Sequence, residues 1–153
     1  MEANMNDEQD IKAAATAVWS AFATRDAALV RAVLTDDVEW IAPADNATAL
    51  ALHGHHHMVG PEPIVDFLTR SFGTLFVSDV SSEVSHCFVD GHTVVFERRI
   101  RATLANGRRY DNDYCFILEM AGTRVRRIRE YMDTKKGYEQ IFGAHDAPPT
   151  LQR

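Results

Sequence analysis

Cysteine is scarce in this chain, and long apolar runs are missing altogether. Two cysteines, Cys87 and Cys115, stand too far apart for a Cys-x-x-Cys pair and are too few for a disulfide framework. Both are expected as free, partly buried thiols. No apolar stretch nears the ~20 residues that a membrane-crossing helix needs, and the N-terminal MEANMNDEQD is acidic where a secretory leader is basic and then apolar. A cytoplasmic chain with no membrane partner is expected. Basic charge is also lacking, since the net charge is −6. The one basic cluster, Arg124-Arg126-Arg127-Arg129, falls in a segment read as a strand, where alternation splits it between two faces. No nucleic-acid partner is expected.

What is present fits one domain. The 153 residues are 46% hydrophobic with mixed charge, enough for a sizeable core over 1–143, followed by a polar tail at 144–153. From Asn6, read as a cap with Gln9 three residues on, Ile11, Ala14, Ala15, Val18, Trp19 and Phe22 recur on one helical face. A short helix from about Asp26 turns Leu29, Val30 and Val33 inward. A short strand, Val38 to Ile41, follows, then a loop-like stretch over 44–60. Gly60-Pro61 opens a third helix with Ile64, Val65, Phe67, Leu68 and Phe72 as its apolar stripe. From about Phe76 to Asp133 the chain reads as consecutive antiparallel strands, with Asp90-Gly91 and Asn106-Gly107 as hairpin turns. A closing helix starts at about Thr134. This order implies an α+β fold: a curled antiparallel sheet wrapped around N-terminal helices as a cone with an open mouth.

Hairpin register nominates the side chains inside the cone. A two-residue turn at Asn106-Gly107 sets Arg101 against Asn112, Arg99 against Tyr114 and Glu97 against Phe116, each pair sharing a face. A three-residue loop at 121–123 then aligns Arg99, Tyr114 and Glu130 in one row, with Glu97, Phe116 and Ile128 on one side and Arg101, Asn112 and Met132 on the other. Glu130 is the candidate base, Tyr114 the acid or orienting donor, Arg99 and Glu97 its charged partners, and Asn112 an amide for a carbonyl or a water. A satisfied structural ion-pair network is the competing reading of the same charges. Trp40, Phe116 and Met132 are expected as pocket wall. The opposite face would then carry Val94, Phe96, Ile100, Ala102, Cys115, Ile117 and Val125, too apolar for water, which implies a homodimer through that face.

The segment His53-Gly54-His55-His56-His57 holds four of the seven histidines. If extended, it points His53, His55 and His57 one way and His56 the other. No further ligand follows at a familiar metal spacing, so no metal is expected. A pocket-rim role for His55 or His57 and a solvated loop both remain open.

The segments TDDVEW, GPEPIVDFL, NGRRYDNDYCFILEM and RRIREYMDT resemble the SnoaL-like polyketide-cyclase branch of the nuclear-transport-factor-2-like superfamily, which also includes ketosteroid isomerases, scytalone dehydratase and limonene epoxide hydrolase. The resemblance runs over roughly residues 8–143 and is most specific in Tyr110-x-Asn112-x-Tyr114 and Ile128-Arg129-Glu130-Tyr131-x-Asp133. It implies the cone fold, a dimer, no cofactor, and a small hydrophobic substrate or ligand. The function implied is isomerase, cyclase, dehydratase or hydrolase chemistry, with a noncatalytic binding module as the alternative. Limonene epoxide hydrolases carry an Arg-x-Asp pair where this chain has Glu97-Arg98-Arg99, so that reaction is a minority reading. Asp26 with a central histidine imitates the dehydratase pair, though a helix cap explains Asp26 more simply.

Overall fold

The computed structural model describes residues 5–143, and the expected tail at 144–153 lies outside the described residues. Helix α1, Met5–Thr24, begins one residue ahead of the expected Asn6 cap and buries Ala15, Val18 and Phe22. Burial of Val18 and Phe22 contributes roughly 1.5–3 kcal/mol each. Helix α2, Ala27–Ala32, is capped by Asp26, whose carboxylate accepts from Ala28 N at 2.9 Å and Leu29 N at 3.1 Å. Leu29, expected inward, is instead 51% exposed; this two-turn helix buries only Val30.

Strand β1, Leu34–Ile41, is longer than expected, and the stretch read as a loop holds α3, Ala47–Ala51, and β2, His57–Val59. Helix α4, Pro61–Asp66, runs through a π-helical turn, Phe67–Ser71, into α5, Phe72–Leu75. Four long strands follow: β3, Phe76–Asp90; β4, Thr93–Leu104; β5, Arg109–Ala121; and β6, Arg124–Met132, before α6, Thr134–Phe142. They form one curled sheet in the order β2-β1-β6-β5-β4-β3, antiparallel except where β1 runs parallel to β6. Helix α1 lies in its concavity, against β3 to β6. Among the described residues no helix is long and apolar enough to cross a membrane.

Two hairpins decide what faces inward, and both correct the expected register. Between β4 and β5 the loop is three residues, Ala105, Asn106 and Gly107, because Leu104 N donates to Arg108 O at 2.9 Å and Gly107 N to Leu104 O at 2.8 Å. Gly107 takes the left-handed conformation, φ 82°, that such a loop requires. The extra loop residue slips β4 by one, so Arg98 stands opposite Tyr114, Phe96 opposite Phe116, and Arg99 opposite Asp113. A one-residue slip exchanges the faces of a strand. Glu97 and Arg99 therefore project from the convex side, whereas Val94, Phe96, Arg98, Ile100 and Ala102 face inward.

The β5–β6 turn is two residues, Gly122 and Thr123, yet Ile128 and Glu130 keep their expected face. A bulge restores the parity: Glu119 pairs with Arg127 and Met120 with Val125, leaving Arg126 as the extra residue. Glu130 consequently stands opposite Phe116, and Met132 opposite Tyr114. Of the seven residues assigned to an apolar outer face, Val94, Phe96, Ala102 and Val125 are buried and Ile100 borders the interior cavity. The convex face of β4 and β5 instead carries ion pairs. Arg99 grips Asp111 with two hydrogen bonds of 2.7 and 2.8 Å, Arg101 lies 3.6 Å from Glu83, and His86 lies 3.3 Å from Glu97.

Candidate active site

The cone encloses a cavity of about 960 Å³ between the concave sheet face, α1, and the helical run from Pro61 to Leu75. Its wall is largely aromatic. Phe22 stacks on Trp40 at 5.8 Å between centroids, while Trp19 meets Phe116 edge-on at 4.7 Å and Phe96 at 5.8 Å. The π-helical turn matters here, because Phe72 N reaches back to Phe67 O and Phe67, Leu68 and Phe72 all come to the cavity wall. A single-turn π-bulge re-aims side chains in this way.

Glu130 is the only carboxylate on this wall among the described residues. It stays partly accessible through the cavity, yet the surrounding protein desolvates the carboxyl and pushes its pKa up to about 7. Trp40 Nε1 donates to Glu130 Oε1 at 3.2 Å, which opposes the shift. Beside it, the hydroxyls of Tyr114 and Tyr110 share a short hydrogen bond, and Asn112 Nδ2 donates to Tyr110 Oη at 3.3 Å. Burial raises the pKa of both tyrosines, and the Glu130 charge raises them further, so both phenols stay protonated at neutral pH.

Sequence reasoning placed Glu130, Tyr114, Trp40 and Phe116 on the cavity, and there they are. Asn112 is fully buried behind it, its Nδ2 also donating to Asp133 O at 3.0 Å, so it acts on the cavity only through Tyr110. Arg99, Glu97 and Met132 border a second depression of about 660 Å³; the β4 slip puts Arg99 and Glu97 there, whereas Met132 keeps its expected face opposite Tyr114 but lies beyond the cavity lining. His55 is exposed, and His57 lies on β2 with Nε2 3.3 Å from Glu39 Oε1; neither reaches the cavity. Among the described residues no three His, Cys, Asp or Glu side chains gather as a ligand set. The histidine that does border the cavity is His86, from β3.

Arg98, Tyr110 and the aromatic wall of Trp19, Phe22 and Phe67 were not among the candidates. The signal for Arg98 was available: Phe96, Arg98, Ile100 and Ala102 share a face that is apolar but for one charge, and it matches the apolar face of β5. Arg98 Nε donates to Ser82 Oγ at 2.9 Å, and its guanidinium lies 4.3 Å from the Trp19 ring centre.

The sequence signature of the SnoaL-like domain matches residues 15–128. The chain belongs to the SnoaL-like domain family. Solved structures similar to this SnoaL-like protein agree on the fold. A nuclear-transport-factor-2-like protein of unknown function from Burkholderia pseudomallei superposes with a TM-score of 0.74 at 20% identity, covering 86% of this chain and 97% of that one. A putative SnoaL-like polyketide cyclase from Jannaschia sp. CCS1 gives a TM-score of 0.72 at 15% identity over 97% of this chain and 100% of that one. An epoxide hydrolase of the limonene epoxide hydrolase-like type from M. tuberculosis gives 0.67 at 20% identity, covering 89% and 92% respectively. No curated protein sequence matches significantly.

Proposed function

We propose that this SnoaL-like protein is a cofactor-free acid–base enzyme that moves a proton on a hydrophobic, oxygenated small molecule held in the cone. The observation that carries this reading is Glu130: a solitary carboxylate on an aromatic wall, held near neutrality and flanked by a buried tyrosine pair. A base with a pKa close to the working pH combines a useful ionised fraction with real proton affinity. In the proposed reaction the Glu130 carboxylate removes a proton from a carbon next to a carbonyl. The electron pair moves onto the carbonyl oxygen, where the Tyr114 hydroxyl donates a hydrogen bond. Asn112 donates to Tyr110, and either phenol can donate in the Tyr110–Tyr114 bond; the proposed reaction uses the arrangement in which Tyr110 donates to Tyr114 and the Tyr114 proton is left for the substrate oxygen. Where the enolate is conjugated with a double bond, return of the proton to the far carbon isomerises the substrate; where the enolate carbon instead attacks a second carbonyl and closes a ring, the new alkoxide takes the proton back from Glu130.

Epoxide hydrolysis by the limonene-type triad is disfavoured. The inward arginine is Arg98, and two residues on stands Ile100, where that triad carries its aspartate. Among the described residues bordering the cavity there is then no second carboxylate to work with Glu130 as that pair requires.

The base can be tested before any substrate is known. 5-Nitrobenzisoxazole opens when a base removes its ring C–H proton, the N–O bond breaking to give a coloured cyanophenolate. The wild-type protein is expected to open it at least roughly 100-fold faster than free acetate at equal concentration, through positioning alone. Glu130→Gln should remove that advantage. Equal rates for the two proteins would sink Glu130 as a base and favour a noncatalytic ligand-binding cone.

A further inference from the structure

Three cationic side chains, Lys12, Arg25 and Arg98, border the cavity against one carboxylate, in a chain whose net charge is −6. The local sign is opposite to that of the molecule. None of the three is paired with an acid among the described residues. Among the described residues Arg31, Arg99, Arg101 and Arg127 each meet a carboxylate, but Arg25 and Arg98 do not. Both are stacked on aromatic rings, Arg98 over Trp19 and Arg25 at 4.0 Å from the centre of Phe72.

Arg98 is held but not satisfied. Its Nε is used by Ser82, whereas one terminal nitrogen is buried without a hydrogen-bond partner. A guanidinium has five donors in a planar fork; the nitrogen closed off from water is held among protein atoms, and the other terminal nitrogen, for which the described residues supply no partner, is the one left for a ligand oxygen in the cavity. Burial depresses both arginines, with no acid nearby to oppose the effect, and lowers Arg98 to about 10, still cationic at neutral pH.

Arg25 adds an independent sign of use. It follows the last turn of α1 at φ 58°, a left-handed conformation where glycine is the least strained residue. The residue there is an arginine, donating to Leu68 O at 3.1 Å while its side chain borders the cavity. Strain at a non-glycine residue that lines a cavity points to function more than to folding.

We propose that the cavity is built for an anion, a flat ring-bearing carboxylate anchored on Arg98, with its reactive end at Glu130 and Arg25 as a second cation on the wall. This rests on the acid–base reading above and supplies its substrate class. Arg98 stands opposite Tyr114 and Glu130 opposite Phe116, two strands and one side-chain step apart. Strand spacing and that step set the two backbone positions roughly 12 Å apart, and side chains reaching inward from both leave room between them for a two-ring aromatic acid. Arg98 exerts no resolved pull on Glu130, whose upward shift comes from burial and is opposed by the Trp40 hydrogen bond. The anchor and the base therefore work on different parts of one molecule.

The test is calorimetric binding of 2-naphthoate and of its uncharged isostere 2-naphthamide to the full chain. A charge-assisted hydrogen bond corresponds to roughly 10- to 100-fold in affinity, so naphthoate should bind that much more tightly. Arg98→Met should remove most of the preference and leave naphthamide within roughly twofold, Arg98→Lys should keep more of it, and adding Arg25→Met to Arg98→Met should erase what remains. Equal binding of the two probes by wild type, or a preference that survives in the Arg98→Met/Arg25→Met double variant, overturns the proposal. Binding is read without turnover, so loss of the preference removes the anchor and leaves Glu130 standing. A benzisoxazole rate unchanged in Glu130→Gln does the reverse.

Discussion

Trp40 holds Glu130 by a single hydrogen bond of 3.2 Å, made across the parallel pairing of β1 and β6. It is the one interaction opposing the upward shift of the Glu130 carboxyl. Replacing Trp40 by Phe keeps an aromatic wall and removes the donor. The Glu130 pKa should move further up, since a hydrogen bond to a charged group is worth about 1.5 kcal/mol or more. Benzisoxazole opening at pH 7 should fall by roughly tenfold and the whole pH–rate profile move to higher pH. A fall in rate with no movement of the profile would mean that Trp40 only shapes the wall.

Glu130 also sets how stability depends on pH. Its folded pKa of about 7 lies above the ordinary value of 4.5, so the native state binds the proton more tightly than the unfolded chain does. That contribution is fully present below the unfolded pKa and is lost as pH rises through 7. At most about 3 kcal/mol is at stake between pH 4 and pH 8. Glu130→Gln cannot ionise, so its melting temperature should gain on wild type from pH 5 to pH 8. Parallel melting curves across that range would contradict the raised pKa.

Arg99 provides the control for the strand register. It grips Asp111 on the convex side and holds that carboxyl down at about 2. Arg99→Ala should therefore leave benzisoxazole opening within roughly twofold of wild type, as expected of a surface substitution away from the reacting groups. A loss as large as that of Glu130→Gln would restore the register with Arg99 inside.

Arg25 separates folding from use. At φ 58° glycine is less strained than alanine, and both remove the same side chain. Arg25→Gly should be more stable than Arg25→Ala by about 1 kcal/mol in urea melts. The two should nonetheless bind 2-naphthoate equally weakly, because only the lost guanidinium matters to the ligand.

The fold was legible because its signals are long and local. The apolar face of α1, the proline-opened helix at Pro61 and two Gly-containing hairpins define the cone between them. The site was half legible. Tyr114 and Glu130 share a face in the sequence reading and in the structure, but two departures from the assumed loops cancel between them: the turn at Gly122-Thr123 is one residue shorter than expected, and the Arg126 bulge adds one back. No such compensation exists between β4 and β5, where a single extra loop residue exchanged Arg98 for Arg99. The face-matching rule would have settled it: Phe96, Ile100 and Ala102 belong with Tyr110, Tyr114 and Phe116 on one apolar surface. Elements α3 and β2 were invisible for another reason. At five and three residues they carry too little periodicity to read and owe their form to neighbours, such as the Asn46 cap on α3 and the pairing of Met58 with Trp40.

The protein has two tryptophans, and both stand on the cavity wall, Trp19 against Arg98 and Trp40 against Glu130. Its tryptophan fluorescence, excited at the red edge where tyrosine does not absorb, therefore reports on the cavity alone. A compound library can be screened on the unlabelled protein by emission alone. Assigning the change through Trp19→Phe and Trp40→Phe then tells whether a hit sits at the cationic end or at the carboxyl end.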